Sequence, residues 1–127
     1  MTTHGRVRHH EDLEAWKAAI ALAKGTYRLA SRLPHIEQYG LCAQLRGAAT
    51  SIPANLAEGA ARGSTRDFAR FVSIAQGSLA ELETHLVLVW ELYDVASDSA
   101  LRGQIVSLRR MLIALRAALV ARSVRRD

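Results

Sequence analysis

LRGAATSIPANLAEGAARGSTRD, residues Leu45 to Asp67, is the stretch that decides the fold. Apolar and small residues recur in and before it at intervals of three and four, the spacing of one helix face: Leu41, Leu45, Ala48, Ile52, Leu56 and Gly59. Pro53 interrupts this pattern, because it removes one backbone hydrogen bond and crowds the preceding turn. Ser51 and Asn55 flank the proline, and their side chains can satisfy the freed backbone groups. The stretch therefore predicts a helix from about Gln38 to Ala61 that is kinked at Pro53.

The second half of the stretch predicts a tight turn and the start of another helix. Gly59 and Gly63 offer stops at which the backbone adopts a positive φ. Ser64 is followed three residues later by Asp67, which resembles a capping box with Asp in place of the usual Glu or Gln. Glu58 and Asn55 are a carboxylate and an amide beside a helix break, and we interpret them as capping groups rather than catalytic groups.

The composition is that of one soluble helical domain. The chain has 127 residues, half of them apolar, with two prolines and one cysteine. Ala, Leu and Arg dominate, and these residues favour helices. We expect a flexible tail at 1–10, whose histidines are a weaker candidate for metal binding, a bundle at 11–122 and a basic tail at 123–127. No apolar run approaches the roughly 20 residues of a membrane span, and the N-terminus lacks a signal region, so the protein is predicted to be cytoplasmic.

Three further segments show the spacing of a helix face. The first is expected to begin near Asp12 and to end before Pro34, the third to run from Thr65 to about Val95, and the fourth to follow Ser97–Ser99. The predicted core face of the first is Leu13, Trp16, Ile20, Ala23, Tyr27 and Ala30; that of the third includes Phe68, Ala75, Leu82, Leu86 and Val89; that of the fourth is Leu101, Ile105, Leu108, Leu112, Leu115 and Leu119. Long helices with short connections predict an all-α, up-down-up-down antiparallel four-helix bundle.

Two segments are apolar on more than one side. Residues 86–90 are apolar all round, and residues 111–121 are apolar except at Arg116. A surface helix needs only one apolar stripe, so a second one usually covers a partner. We expect the two segments to lie at similar heights and to form one self-association surface. Its predicted residues are Leu86, Leu88, Trp90, Met111, Ile113 and Val120.

The C-terminal part of the chain is rich in arginine. The net charge is +5, and Arg102, Arg109 and Arg116 recur every seven residues on one face of the fourth helix. Such a stripe favours salt-sensitive binding to nucleic-acid phosphates. The predicted contact residues are Arg102, Arg109, Arg110, Arg116, Arg122, Arg125 and Arg126. Two alternatives stay open: genomic base composition also favours arginine, and the acids of the third helix (Glu81, Glu83, Glu91, Asp94 and Asp98) can pair with the stripe and mask it.

Enzymatic chemistry finds little support in the sequence. The chain has no HExxH, P-loop, GxSxG or Glu-x-x-His pair, and we predict no catalytic residue, metal or cofactor. Arg28 and His35 have the spacing of the Arg-His motif of some helical-bundle ribonucleases. Because Pro34 intervenes and no other feature supports the motif, a ribonuclease remains a minor alternative.

Several motifs together resemble a known family. SIPANLAEG (Ser51 to Gly59), then Ser64, Phe68 and Phe71, then IAQGSLAELET (Ile74 to Thr84) are similar to the four-helix-bundle proteins encoded in intervening sequences of bacterial 23S rRNA genes. DLEAW and YGLCAQLRGAA fit the same pattern, so the resemblance extends from Asp12 to about Leu119. Ser51, Pro53, Asn55, Glu58, Gly59 and Ser64 form the structural signature.

The resemblance implies a left-handed bundle that assembles into a ring-shaped homopentamer. The family also includes the accessory variability protein of diversity-generating retroelements, which binds nucleic acid and associates with a reverse transcriptase. The resemblance therefore implies RNA, DNA or a reverse transcriptase as partners. The sequence favours a non-enzymatic, nucleic-acid-associated oligomeric scaffold. The alternative is a protein-interaction adaptor without nucleic-acid binding.

Overall fold

A computed structural model describes residues 10–93, 95 and 99–126, and these residues form a four-helix bundle. The helices are α1 (His10–Ala30), α2 (Leu41–Ala60), α3 (Thr65–Leu92) and α4 (Ser99–Arg126). A short 3-10 turn at His35–Glu37 lies between α1 and α2, and the described residues contain no strand. The predicted all-α four-helix fold is confirmed, whereas its handedness and the bend at Pro53 stay predictions.

The helices pack in a closed square. α1 contacts α2, α2 contacts α3, α3 contacts α4, and α4 contacts α1, and no diagonal contact occurs in the part of the chain that is described. Neighbouring helices run antiparallel, as two contacts for each of three pairs show. Tyr27 and Ala30 of α1 lie beside Arg46 and Cys42 of α2. Ser51 and Gly59 of α2 lie beside Ser78 and Phe71 of α3, and Ser73 and Glu83 of α3 lie beside Arg116 and Arg109 of α4. These pairs fix the relative height of the facing helix segments.

The core faces predicted for α3 and α4 are confirmed. All six predicted leucine and isoleucine positions of α4 are buried, and so are the five named positions of α3. Each face repeats every three to four residues and consists mainly of large aliphatic side chains, so its burial removes the most apolar surface from water. In each of these two helices, therefore, only one rotation about the helix axis buries all the large aliphatic side chains together.

The core face predicted for α1 is right at Ala23 and Ala30, which are buried, and wrong at its four large residues. Trp16 and Tyr27 are 39% and 46% exposed, and Leu13 and Ile20 are half-buried. The buried face is instead formed by Ala15, Ala19, Leu22, Ala23, Thr26, Leu29 and Ala30. Alanines on this face permit close packing, and the Thr26 hydroxyl is satisfied because it donates to the Leu22 carbonyl at 2.8 Å. An apolar ridge is left on the outside of α1.

The turn between α2 and α3 uses only one of the two predicted glycine stops. Gly63 has φ 89°, whereas Gly59 lies inside α2 and is buried. Ser64 precedes α3, and its Oγ accepts from the Asp67 backbone N–H at 3.1 Å. This is the expected serine cap on the first turn of a helix.

Three helix boundaries differ from the sequence expectation. α3 ends at Leu92 rather than near Val95. α2 begins at Leu41 rather than near 38, and α4 continues through 123–126, the residues assigned from sequence to a basic tail. Of the tail predicted at 1–10, residues 1–9 lie outside the described residues, and His10 is the first residue of α1. Asp94, Asp98 and Asp127 also lie outside the described residues.

A carboxylate ties the loop between α1 and α2 to the end of α3. The Tyr93 hydroxyl donates to Glu37 Oε2, and the Leu41 backbone N–H donates to Glu37 Oε1 at 3.1 Å. The hydrogen bond from Tyr93 and then that from Leu41 lower the pKa of Glu37, while the bond to Glu37 raises the pKa of Tyr93. These bonds favour the charged form of Glu37 and the neutral form of Tyr93.

We expect Tyr93→Phe to raise the pKa of Glu37 toward its ordinary value, because the substitution removes the hydrogen bond that lowers this pKa the most. Because the pKa of Glu37 is lowered in the folded chain, this group stabilises the fold at a pH above its unfolded pKa, and that stabilisation is lost as the pH falls through the folded pKa. Because the pKa of Tyr93 is raised, this group stabilises the fold at a pH below its unfolded pKa, and that stabilisation is lost as the pH rises through the folded pKa. NMR titration of glutamate carboxyl carbons measures the shift, with Tyr27→Phe as control; an unchanged Glu37 pKa in Tyr93→Phe would contradict the contact.

Candidate nucleic-acid interface

Arg102, Arg109 and Arg116 form a row along α4 that contacts α3 and also borders solvent. The Arg102 guanidinium lies 4.0 Å from the centroid of the Trp90 ring, and Arg109 pairs with Glu83. Arg116 Nε donates to Ser73 Oγ at 2.5 Å. All three arginines thus lie along one groove and are held by side chains of α3.

The acids of α3 mask this row incompletely. Glu83 pairs with Arg109, but Glu81 is exposed and its carboxylate lies 3.8 Å from Nε2 of His85. Glu91 is also exposed. Arg102 and Arg116 keep exposed surface, so the row retains positive charge on the outside of the bundle.

The other predicted arginines follow the last turns of α4. Arg110 lies exposed on its outer face, Arg125 is exposed and Arg122 is half-buried. Arg126 is the last residue of the helix. Arg110, Arg122 and Arg125 therefore lie on a helix rather than on a free tail.

Three arginines that the sequence reasoning missed lie at the same end of the bundle. Arg116 is level with Ser73, so the roughly 15 Å of α4 beyond it runs beside the first turns of α3. Those turns and the preceding loop carry Arg62, Arg66 and Arg70, all of them exposed. We call this group the basic end and define it as Arg62, Arg66, Arg70, Arg116 and Arg125. Arginines 46 or more residues apart in sequence meet here because α3 and α4 are antiparallel, a proximity that no local spacing reveals.

Aromatic stacking and weak ion pairs orient the basic end. Arg62 and Arg70 lie over the Phe71 ring, 4.8 Å and 4.6 Å from its centroid. Arg62 contacts Glu58 at 3.1 Å, and Arg70 contacts Asp67 at 3.7 Å. Such exposed pairs contribute little energy, so the two acids orient the guanidinium groups without removing them from solvent.

A family model for the 23S rRNA-intervening sequence protein matches residues 11–114. The chain belongs to this family. The resemblance noted in the sequence is therefore confirmed. Comparison with functionally curated proteins finds no match. The matched region contains the arginines of the α2–α3 turn, whereas Arg116, Arg122 and Arg125 lie beyond its end.

The family signature at Ser51–Gly59 lies where α2 packs on α3. Asn55 Nδ2 donates to the Ser51 carbonyl at 2.8 Å and to Ser51 Oγ at 3.0 Å. Ser51 Oγ in turn lies 2.7 Å from Ser78 Oγ on α3, and Pro53 is buried. Asn55 thus bonds Ser51 and not the Ala49 carbonyl, which is the group that Pro53 leaves without its helical partner. Through Ser51 it links α2 to the GSLAELET segment of α3. Glu58 points to solvent beside Arg62.

The predicted self-association residues do not form one surface. The pairing of Arg109 with Glu83 and of Arg116 with Ser73 places residues 111–121 opposite about 70–80 of α3, well below 86–90. Leu86 is fully buried in its own chain, and Trp90 and Met111 pack against that core. Leu88, Ile113 and Val120 are 43%, 54% and 38% exposed. The sequence expected similar heights, but the register of α3 and α4 separates the two segments.

Arg28, one of the two residues of the minor ribonuclease alternative, lies in a cleft that His35 does not line. Arg32 and Gln104 also line this cleft, which has a volume of about 290 Å³ and lies between α1 and α4. The described residues include no group of three potential metal ligands. Within the same residues, no helix is long and apolar enough to cross a membrane.

Proposed function

We propose that this family member is a non-enzymatic, self-associating scaffold that binds the phosphate backbone of RNA or DNA through its basic end. The observation that carries the proposal is the convergence of Arg62, Arg66 and Arg70 with the C-terminal arginines of α4. The acids Glu58 and Asp67 at this end are already paired with arginine. Membership of the 23S rRNA-intervening sequence protein family assigns no activity.

Arginine suits this role physically. Its planar guanidinium offers several donors that match phosphate oxygens, and it stays charged at every physiological pH. Contacts of this kind position a backbone and carry little sequence information. We expect slight sequence preference and a steep loss of affinity as the salt concentration rises.

Self-association multiplies weak contacts. Each copy of the basic end neutralises only a few phosphates, but copies held in one assembly bind the same strand with a high effective concentration. The exposed apolar side chains of α1, α3 and α4 support such self-association, because exposed apolar patches mark interfaces.

We predict that Arg70→Gln combined with Arg125→Gln weakens binding to a generic RNA or DNA duplex. The salt-dependence slope should fall by about one for each phosphate that a bound copy no longer neutralises. The matched control is Arg28→Gln with Arg32→Gln, which removes the same charge from exposed arginines at the opposite end of the bundle. Fluorescence anisotropy at several salt concentrations measures both the affinity and the slope.

The comparison separates specific use of the basic end from net charge. If both double variants lose affinity equally, general positive charge is responsible and the basic end is not the binding site. No binding by the unmodified protein at low salt would overturn the nucleic-acid proposal altogether.

A second candidate function is a protein-interaction adaptor without nucleic-acid binding. Ile36, Tyr39 and Leu92 are 85%, 88% and 64% exposed, and all three adjoin the Glu37–Tyr93 hydrogen bond, at the end of the bundle opposite the basic end. Exposed apolar side chains of this size favour a protein partner. This function becomes the better one if the anisotropy experiment shows no binding.

A further inference from the structure

The cleft between the end of α1 and the start of α4 has no part in the proposed function. It has a volume of about 290 Å³, and its lining includes Arg28, Arg32 and Gln104. Because α1 ends and α4 begins there, the cleft lies at the end of the bundle opposite the basic end. It is therefore a separate surface from the one proposed to bind a phosphate backbone.

The cleft has a rigid floor of packed apolar side chains. Leu29 and Leu101 both line it, and each is 1% exposed. Gly25 lies where α1 approaches α4, so that a β-carbon added to it would lie 3.0 Å from Cδ2 of Leu101 and 3.6 Å from Oε1 of Gln104. The glycine thus leaves space open beside the Gln104 amide.

Two arginines supply positive charge to the cleft. Arg28 lies in the last turn of α1, and Arg32 follows in a turn that is held by the hydrogen bond from the Arg32 backbone N–H to the Leu29 carbonyl, at 3.0 Å. Both side chains are exposed, and neither forms an ion pair with another residue of the described part of the chain. The described residues that line the cleft include no acid, so a bound anion would meet two unpaired guanidinium groups.

Helix dipoles add little to this charge. The cleft adjoins both the C-terminal end of α1 and the N-terminal end of α4. Two such ends carry opposite partial charges of about half an elementary charge each, and these largely cancel. The two guanidinium groups therefore dominate the electrostatic field in the cleft.

Gln104 supplies a neutral polar group next to the arginines. Its side chain is half-buried, and among the described residues its amide has no hydrogen-bond partner. An amide offers two donors and an acceptor, so it can bind a hydroxyl group in either direction. The cleft thus combines a site for negative charge with a site for a hydroxyl group.

We infer that this cleft binds a small phosphate monoester that carries hydroxyl groups, the chemistry of a sugar phosphate. A phosphate monoester has a charge of about −1.5 to −2 at pH 7, which two arginines neutralise, whereas a single carboxylate needs only one. The fork of a guanidinium group also matches phosphate oxygens. The volume of about 290 Å³ is near the lower limit of roughly 300 Å³ for ligand pockets, so it suits a small molecule.

Titration of the full-length protein with three probes tests the inference: ribose 5-phosphate, inorganic phosphate and ribose. We expect ribose 5-phosphate to bind most tightly, inorganic phosphate to bind more weakly and ribose not to bind, because charge-assisted hydrogen bonds supply most of the affinity. Isothermal titration calorimetry gives the affinities. NMR follows the side-chain amide signal of Gln104, which the variant Gln104→Leu identifies by its loss.

Substitutions separate the contributions of charge and amide. Arg28→Gln combined with Arg32→Gln should weaken binding of ribose 5-phosphate by about tenfold or more, because charge-assisted contacts are lost. The matched control, Arg70→Gln with Arg125→Gln, removes the same charge from the basic end and should leave this binding unchanged. Gln104→Leu should weaken binding of ribose 5-phosphate but not that of inorganic phosphate.

Three results would overturn the inference. The first is no binding of ribose 5-phosphate to the unmodified protein at millimolar concentration. The second is an equal loss of affinity in both pairs of arginine variants, which would indicate general attraction to positive charge. The third is equal affinity for inorganic phosphate and ribose 5-phosphate, which would identify a site for free phosphate instead of a monoester. The nucleic-acid proposal stands or falls separately, because the anisotropy experiment measures duplex binding and depends on Arg70 and Arg125.

Discussion

Replacing Leu86 by alanine is expected to lower the free energy of unfolding by about 3 kcal/mol or more. Leu86 is fully buried among the core side chains of its own chain. Its removal loses the transfer free energy of the deleted atoms and leaves a cavity that a close-packed interior fills only in part. The same side chain was expected from the sequence to lie at a self-association surface, so this variant tests which of the two environments it occupies.

The neighbouring Leu88→Ala is the matched control, because it deletes the same atoms at a position that is 43% exposed. We expect Leu88→Ala to change unfolding by less than about 1 kcal/mol when the chain is dissociated, and to weaken self-association. Chemical denaturation at one fixed protein concentration measures both variants, since association with further copies adds to apparent stability. Equal effects of the two substitutions on unfolding would contradict the assignment of Leu86 to the core.

Replacing Gly59 by alanine is expected to destabilise the protein by about 1 to 3 kcal/mol, although alanine is the better helix former. A β-carbon at Gly59 would lie 2.6 Å from Cβ of Phe71 and 2.9 Å from Cδ1 of Phe68. The first of these atoms is fixed to the backbone of α3 and cannot move aside by a rotamer change. α2 and α3 would have to separate at the point where the α2–α3 turn holds them together.

Gly47→Ala is the control for Gly59→Ala. Gly47 is an exposed helical residue of α2, and an added β-carbon there meets no atom within 4 Å. This substitution should raise the free energy of unfolding by about 0.5 to 1 kcal/mol, because it removes only the entropic cost of glycine. If both substitutions stabilise the protein, the close approach at Gly59 is not a constraint on the fold.

The spacing of apolar residues predicted the four helices and their order. It predicted the buried face of α4 correctly, but it did not predict that of α1 at the large residues. In α4 the six predicted positions from Leu101 to Leu119 form one buried stripe, and Ile113 lies outside it. In α1 the large residues Trp16, Ile20 and Tyr27 were expected inside, whereas the alanine-rich face is buried. Both faces of α1 have the same spacing, and the choice depends on which one lets α2 and α4 approach closely.

For the candidate site as well, the sequence predicted which residues share a helix face but not all of the residues that they contact. The spacing of Arg102, Arg109 and Arg116 placed them on one face, and they do lie along one groove beside α3. Glu83 was among the five acids that the sequence offered as partners of this stripe, whereas Trp90 and Ser73 were not named, since pairing depends on the register between two helices. The α2–α3 arginines of the basic end were missed for the same reason.

Local chemistry in the sequence determined the four helices, the turn at Gly63, the serine cap of α3 and the family of the chain, because each of these depends on residues a few positions apart. Tertiary structure alone decided the phase of α1, the relative height of 86–90 and 111–121, and the meeting of Arg62, Arg66 and Arg70 with the end of α4. Those features depend on how one helix is rotated and shifted against another. That arrangement is selected by the packing of whole faces, to which residues distant in sequence contribute together.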